Sequence, residues 1–486
     1  MILQYVFEHS GNLILKRTTF RNTRRIGIIL PIVLVIFALL AMLVIGFGFA
    51  TRAEFSGIAA QENIIQARRC AMSGLESAAM LVMAKSDDFN LWHSNPDIFR
   101  DRVVFSESER DKEHFSWRYS IVAPNFDSQD VPRFGLTDEA SKVNINVASR
   151  DQLLRLPKMT PKLVDALLDW RERGDSARSD GAKDDYYMGL AQPYRCKQGP
   201  LNSVEELLLV KGFTSDIIFG EDMNRNGLLD ANEDDGRKSL PIDNADGLLD
   251  RGLYPYITVF SREPEVTDSD PYQPRVNIQQ WPAALLKSML EKHFSENIVN
   301  FIVTARMANV DFGTTPANLI GLSFEYNNRT YNSPLTLSDL PLIMDVLTTG
   351  YHLNSDGFVY GRINVNTATR TVLRTIGLLT DKEIDGIISL RKRLDKETTK
   401  TVAWLVTQNV MDIDKFKKVA PVLTTKSYQF SVESIGYCDN MNVQVRLQAV
   451  MELRLPKIQY IYFRDMSRLG RAYNVKSFGE IIIVNQ

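Results

Sequence analysis

Cysteine is scarce in this chain: Cys70, Cys196 and Cys438 are its only three in 486 residues. Three thiols cannot build a disulfide framework, so the fold must rest on an ordinary hydrophobic core. One bridge stays open, with Cys196–Cys438 as a candidate pair, while Cys70 reads as a small apolar packing residue. The five histidines (His9, His93, His114, His293 and His352) are scattered, without the paired spacing of metal ligands. The chain has no nucleophile elbow, phosphate loop or dinucleotide fingerprint. With no catalytic constellation, the chain reads as non-enzymatic. Charge imbalance is missing too: a net charge of −2 gives no global pull toward nucleic acid or acidic lipid. The last absence is local, since Ile28–Ala50 contains no charged residue at all.

That run would reach about 34 Å as a helix, enough to cross the hydrocarbon core of a bilayer. Lys16, Arg17, Arg21, Arg24 and Arg25 precede it against one acid, Glu8. The positive-inside rule therefore puts residues 1–27 in the cytoplasm and everything after Thr51 outside it. A cleaved secretory signal would have a shorter apolar core with small residues after it. Here the small residue, Gly27, comes before the run. Beyond the run, Ile58, Ile65, Met72, Leu75, Ala79 and Val82 fall near one helical face, and Ala59, Ala60, Ala67, Ala71, Gly74 and Ala78 keep the helix slim. The rest is long enough for two or three globular units.

Strand patterning appears at both ends of that remainder. Phe115–Ala123, Tyr428–Ile435, Val443–Leu453 and Lys457–Phe463 alternate and are rich in β-branched or aromatic residues. Between them the sequence reads mainly as helices and loops, and it contains a repeat. One copy opens with Lys142-Val143-Asn144-Ile145-Asn146 and another with Arg362-Ile363-Asn364-Val365-Asn366. A weaker copy opens with Arg275-Val276-Asn277-Ile278. Each pattern predicts an extended entry, a helix, a turn and a second helix. Two shorter capped helical segments begin at Asn202 and Leu337.

One motif carries chemistry. Asp222, Asn224, Asn226, the Leu228 carbonyl, Asp230 and Glu233 stand at positions one, three, five, seven, nine and twelve of a calcium-type loop. Gly227 occupies the sharp turn at position six and Leu229 the apolar anchor at eight. The spacing predicts a structural Ca²⁺ site. A second acidic turn, Asp243-Asn244-Ala245-Asp246-Gly247 with Asp250, has half of the pattern.

Gly27 before an apolar helix resembles the cleavage site of type IV prepilins and type II secretion pseudopilins, whose peptidase cuts after the glycine and would leave Ile28 as the new N-terminus. Most of that family carry a glutamate at mature position five, where this chain has Ile32. The K-type minor pseudopilins resemble the chain in lacking it, and in having a large helical domain interrupting a small sheet. The repeats resemble helix-hairpin-helix, or SAM-like, units. The hairpin at Pro157-Lys158-Met159-Thr160-Pro161 has no glycine, the weaker copy has Lys292-His293-Phe294-Ser295 there, and the last copy has only Gly377. Side chains there would hold a phosphate away from backbone amides, so the repeats read as packing and protein-docking units.

The resemblance implies an α+β fold: a transmembrane and stem helix, a small antiparallel pilin-like sheet, and a large inserted α-helical domain with helix-hairpin-helix repeats. Its expected divisions are a leader (1–27), membrane helix (28–50), stem (51–86), first part of the β domain (87–138), a first helical insert with the calcium loop (139–261), a second insert (262–425) and C-terminal strands (426–486). It implies a subunit that caps the tip of the pseudopilus and helps start its assembly. Expected partners are the I- and J-type minor pseudopilins, the major pseudopilin, prepilin peptidase and secreted cargo. Nucleic acid is not expected. The expected location is the inner membrane, single-pass, with the head in the periplasm. Partner contact is expected on Ile58, Ile65, Met72, Leu75 and Val82 of the stem. A membrane-anchored DNA receptor and a type IV pilus minor pilin are the alternatives.

Overall fold

The computed structural model describes residues 29–106, 116–126, 128–270, 272–438, 441–470, 472–474 and 478. Gly27 and Ile28 lie outside them. The chain divides into two units, 1–62 and 63–486. In the first, the described residues belong to helix α1, Ile29–Lys85, which runs for 57 residues. Among the described residues it is the one helix long and apolar enough to cross a membrane.

The second unit is organised by an antiparallel sheet. Its strands are β1 (Arg102–Ser106), β2 (Ser116–Val122), β3 (Thr137–Asp138), β4 (Gln429–Cys438), β5 (Met441–Arg454) and β6 (Lys457–Asp465). The order is β1-β2-β4-β5-β6, with β3 also pairing β4. Strands distant in sequence, β2 and β4, therefore lie side by side, and the helical insert leaves and re-enters the sheet at its centre. The four strands expected from alternation all form. β1 and β3 were not read from the sequence, because β1 is short and mostly exposed and β3 has two residues.

Alternation along β2 and β4 sorts their side chains between two neighbours. One face receives residues 63–85 of α1. Ala67, Cys70, Ala71, Gly74, Leu75, Ala78, Ala79 and Val82 are buried there. Small residues let the helix and sheet backbones approach closely. A Cβ on Gly74 would lie 2.9 Å from the Tyr119 ring, and one on Gly436 would lie 2.5 Å from the Ala71 nitrogen. The slim face expected of the stem thus serves its own head.

The other face carries the insert. Its three copies each pair a first helix with a second: α2 (Arg150–Leu154) with α3 (Pro161–Arg171), α4 (Ala283–Leu290) with α5 (Glu296–Met307), and α6 (Arg370–Thr375) with α7 (Asp381–Arg391). Each entry forms a two-residue strand that pairs in parallel with a later segment: Val143–Asn144 with Ile257–Thr258, Val276–Asn277 with Leu347–Thr348, and Ile363–Asn364 with Leu423–Thr424. Turn chemistry repeats as well. Asn144 and Asn364 accept through Oδ1 from the backbone nitrogens of Asn146 and Asn366, at 3.0 and 2.9 Å. Asn277 does the same for Gln279 at 3.1 Å. Ser149 and Thr369 cap the first helices, and Thr160 and Thr380 cap the second. In the weaker copy neither Pro282 nor Ser295 makes a side-chain cap.

Leu153, Leu167, Val372 and Ile387 share one core, which joins the first and last copies. The middle copy has its own, built on Leu286, Leu290, Phe301 and Ile302. A basic residue stands just before each entry strand and meets acids: Lys142 with Glu139 (2.7 Å), Arg362 with Glu263 and Glu265 (2.8 Å each), and Arg275 with Asp268 (3.2 Å). The shorter capped segments form a 3₁₀ helix at Val204–Leu209 and a helix at Leu340–Val346.

Candidate metal centre and stem face

The acidic loop is tied to the sheet from several directions. Arg446, on β5 and 1% exposed, donates to the Asn224 carbonyl at 2.8 Å and the Arg225 carbonyl at 3.2 Å. The same guanidinium pairs with Glu433 of β4 at 2.7 Å. Arg251 holds the Gly227 carbonyl at 2.7 Å, and the Gln129 carbonyl accepts from the Leu229 nitrogen at 2.9 Å. Asn226 reaches the Ala472 carbonyl at 2.6 Å. The loop thus joins the insert, the segment after β2, the central strands and the C-terminal segment.

Inside the loop, backbone amides converge on the first acid. Asp222 accepts from the nitrogens of Asn226 and Gly227, both at 2.9 Å. Gly227 sits at φ +69°, the left-handed turn that position six demands. Asn224 and Asn226 donate their side-chain amides to Asp230 at 2.7 and 2.9 Å. Glu233 closes the ring, accepting from the Met223 nitrogen at 3.3 Å and the Asp230 nitrogen at 3.1 Å. Asp222, Asn226 and Glu233 are buried. Burial pushes the Asp222 carboxyl up to about 6. Burial, with Asp222 and Asp230 alongside, pushes Glu233 up to about 8. The structure therefore gathers the six residues of the motif into one loop. Among the described residues, no group of three or more His, Cys, Asp or Glu side chains is placed to hold a metal without help from amide or carbonyl oxygens.

Sequence reasoning missed half of the second acidic turn. Residues 244–250 repeat the Asn-x-Asn/Asp-Gly-Leu-Leu-Asp string of residues 224–230, and Gly247 sits at φ +74°. Asp246 accepts from the Leu248 nitrogen at 2.9 Å, as Asn226 does from Leu228 at 2.6 Å. The first acid of the pattern is absent from its expected place, and Asp234 fills the role, accepting from the Gly247 nitrogen at 3.0 Å. The last acid is supplied by Glu221, which accepts from the Asp250 nitrogen at 3.1 Å, as Glu233 does from Asp230. The repeated string was the visible signal. Asp234 and Glu221 were hidden because they border the first loop.

On the stem, the five expected contact residues part company. Ile65 and Met72 are 45% and 40% exposed, and Ile58 is exposed. Leu75 and Val82 are buried beneath the sheet, so the structure corrects their part in the expected contact stripe: they hold the helix to its own head. Ile64, Met80 and Met83 join the exposed set.

The hairpins of the repeats are engaged internally. Lys158 pairs with Asp250 and donates to the Asp216 carbonyl at 3.0 Å. Gly377 sits at φ +75°, and a Cβ there would lie 2.6 Å from the guanidinium carbon of Arg155. Cys196 lies in the insert's core and Cys438 in the core under the sheet, so the two cannot pair.

A long apolar helix, a sheet interrupted by a helical insert, and an acidic loop that ties insert to sheet are the features to set beside known proteins. Residues 134–219 match the family model described as Type II secretion system (T2SS), protein K. That match spans 86 of the 486 residues and marks a likeness in the first part of the insert. Among solved structures, the GspK-GspI-GspJ complex from the enterotoxigenic Escherichia coli Type 2 Secretion System is similar at 11% identity, with a TM-score of 0.40, covering 84% of this chain and 98% of that one. No curated protein matches the chain.

Proposed function

We propose that the chain is a minor pseudopilin that caps the tip of the type II secretion pseudopilus, helps start its assembly, and works with I- and J-type partners. The observation that carries this is the two-faced stem. Its inner face of small residues is sealed against the sheet, while Ile65, Met72 and Met83 leave an apolar stripe uncovered along the border of that face. A stripe of that kind suits another slim helix. In this reading prepilin peptidase cuts after Gly27 and leaves Ile28 at the cytoplasmic side of the inner membrane, with the head in the periplasm. Ile32, in place of a glutamate, spares the bilayer a carboxylate with no neighbouring ammonium to meet. The repeats act as packing and docking units of helix-hairpin-helix type. The covering of Gly377 by Arg155 and the internal pairing of Lys158 support that use over phosphate contact.

The loop Asp222–Glu233 holds Ca²⁺ in this reading, through Asp222, Asn224, Asn226, the Leu228 carbonyl, Asp230 and Glu233. The all-oxygen set suits a hard cation, and two buried carboxyls pushed toward protonation are what such an ion relieves. For that, the amides of Asn224 and Asn226 would present oxygen rather than nitrogen. The second loop, with Asp234 and Glu221, is a candidate for a second ion. When bound, the cation would clamp the insert to β5 through the carbonyls that Arg446 already holds.

The test is co-purification of the full chain with I- and J-type minor pseudopilins from membranes, with the mature N-terminus sequenced in cells with and without prepilin peptidase. No co-purification, or an N-terminus unaffected by the peptidase, would overturn the reading.

A further inference from the structure

Two of the three cysteines meet where α1 crosses the sheet. Even-numbered side chains of β4 point at the helix, since Gly74 faces Ser434 and Gly436 faces Ala67 and Ala71. Helix and strand therefore run in opposite senses. Side chains alternate along a strand, so Cys438 shares the face of Gly436. Register with β2 confirms it: Gly436 pairs with Tyr119 and Cys438 with Trp117, without a shift. On the helix, Cys70 lies on the buried face between Ala67 and Gly74. Helical side chains lean toward the N-terminus, which aims Cys70 toward the end of β4 that carries Cys438. Both cysteines are fully buried in the same core. Burial and the nearby Cys438 push the Cys70 thiol up to about 11. Both are thiols in this structure.

We infer that Cys70 and Cys438 are built to form a disulfide that staples the stem helix to the central strand of the sheet. The bond needs an oxidant of disulfide class, such as an oxidised dithiol oxidoreductase or glutathione disulfide. One cysteine thiolate attacks the oxidant's sulfur and expels a thiolate. The second then attacks the mixed disulfide and releases the other. The two cysteines lose two protons and two electrons, and the oxidant's disulfide becomes two thiols. Full burial and a raised thiol pKa make this slow in the folded protein, so the bond forms as α1 docks. Once formed, it is shielded from reductants by the same burial. The pairing follows from how α1 crosses β4 and holds whichever partner the stem binds.

The test counts thiols in the full-length chain, exported with its own leader and extracted in detergent. One sample is denatured and alkylated without reductant. Another is first warmed with glutathione disulfide. The expected result in either sample is a single alkylated cysteine, Cys196, with a tryptic species joining peptides 70–85 and 427–446 that reductant separates. Cys70→Ser should restore alkylation of Cys438, and reduction should lower the melting temperature of the parent but not of that variant. Three alkylated thiols in both samples, or a bond that includes Cys196, would overturn the inference.

Discussion

Arg171 and Arg391 do the same work in two separate copies of the repeat. Arg171 donates to the carbonyls of Ile145 and Ala148 at 2.5 and 2.7 Å. Arg391 donates to those of Val365 and Ala368 at 3.0 and 2.7 Å. Each guanidinium ends the second helix of its copy and stitches it back to the extended entry. Replacing either with Met should cost about 2–4 kcal/mol, because two part-buried carbonyls lose charged donors. Lys should rescue little at position 171, where two guanidinium nitrogens each reach one carbonyl, and more at position 391, where a single nitrogen reaches both. Denaturant unfolding of each single variant checks this.

Gly436 has no room for a side chain, because its missing Cβ would collide with the α1 backbone at Ala67 and Ala71. Gly436→Ala should therefore push the helix off the sheet and cost at least about 3 kcal/mol. Gly386, whose Cβ would meet only a Val410 methyl at 3.6 Å, is the control, and its Ala variant should be neutral or stabilising. Thermal unfolding and proteolysis of the stem separate the two cases.

Asp138 links β3 to the last copy, accepting from Asn364 at 2.9 Å and Thr367 at 2.7 Å. Burial pushes its carboxyl from 3.8 up to about 6, against the pull of those hydrogen bonds. A folded pKa above the unfolded one gives stability that is full below the unfolded value and lost as pH rises through the folded value. The advantage of the native chain over Asp138→Asn should thus be larger near about pH 4 than near about pH 7.5. Melting temperatures across that range, compared between the two proteins, give the sign.

Calcium should raise the melting temperature of the full chain. At free calcium about 100-fold above the dissociation constant the gain is about 2.7 kcal/mol per site. Glu233→Ala should remove the gain from the first loop. Asp234→Ala should leave the first loop's affinity intact while lowering the calorimetric stoichiometry if the second loop also binds. Isothermal titration of calcium into chelator-treated protein checks both variants.

The stem separates two kinds of substitution. Ile65→Glu and Met72→Glu change exposed positions, so the fold should survive while, on the proposed function, co-purification with I- and J-type minor pseudopilins falls. Leu75→Glu puts a charge under the sheet and should cost more than about 4 kcal/mol, reducing the yield of folded protein itself. Melting temperature alongside co-purification distinguishes loss of partner from loss of fold.

Much of this was legible before any coordinates. The charge-free run, the alternating strands, the repeated Asn-containing entries and the acidic loop are all local patterns, set by the periods of helix and strand and by turn chemistry. The interruption of the sheet was implied by the family resemblance, whereas the strand order was not legible. Nor were the faces of the stem. Ile65, Met72, Leu75 and Val82 fit one broad apolar pattern, and only docking on β2 and β4 decides which of them is covered. The second acidic turn shows the same limit, because Asp234 and Glu221 reach it from outside its own string.

By itself, then, the sequence determined the elements: an anchor helix, a split set of strands, repeated helix pairs and a loop of oxygen donors. Hydrophobic periodicity, capping residues and turn glycines act within a few residues, so they are readable along the chain. Tertiary structure decided the pairings: β2 beside β4, Arg446 on the loop's carbonyls, Asp138 on Asn364, and Cys70 in one core with Cys438 while Cys196 lies in another. Those contacts join residues far apart in sequence, and the close approach that Gly74 and Gly436 permit is what brings the stem, with Cys70, against the sheet.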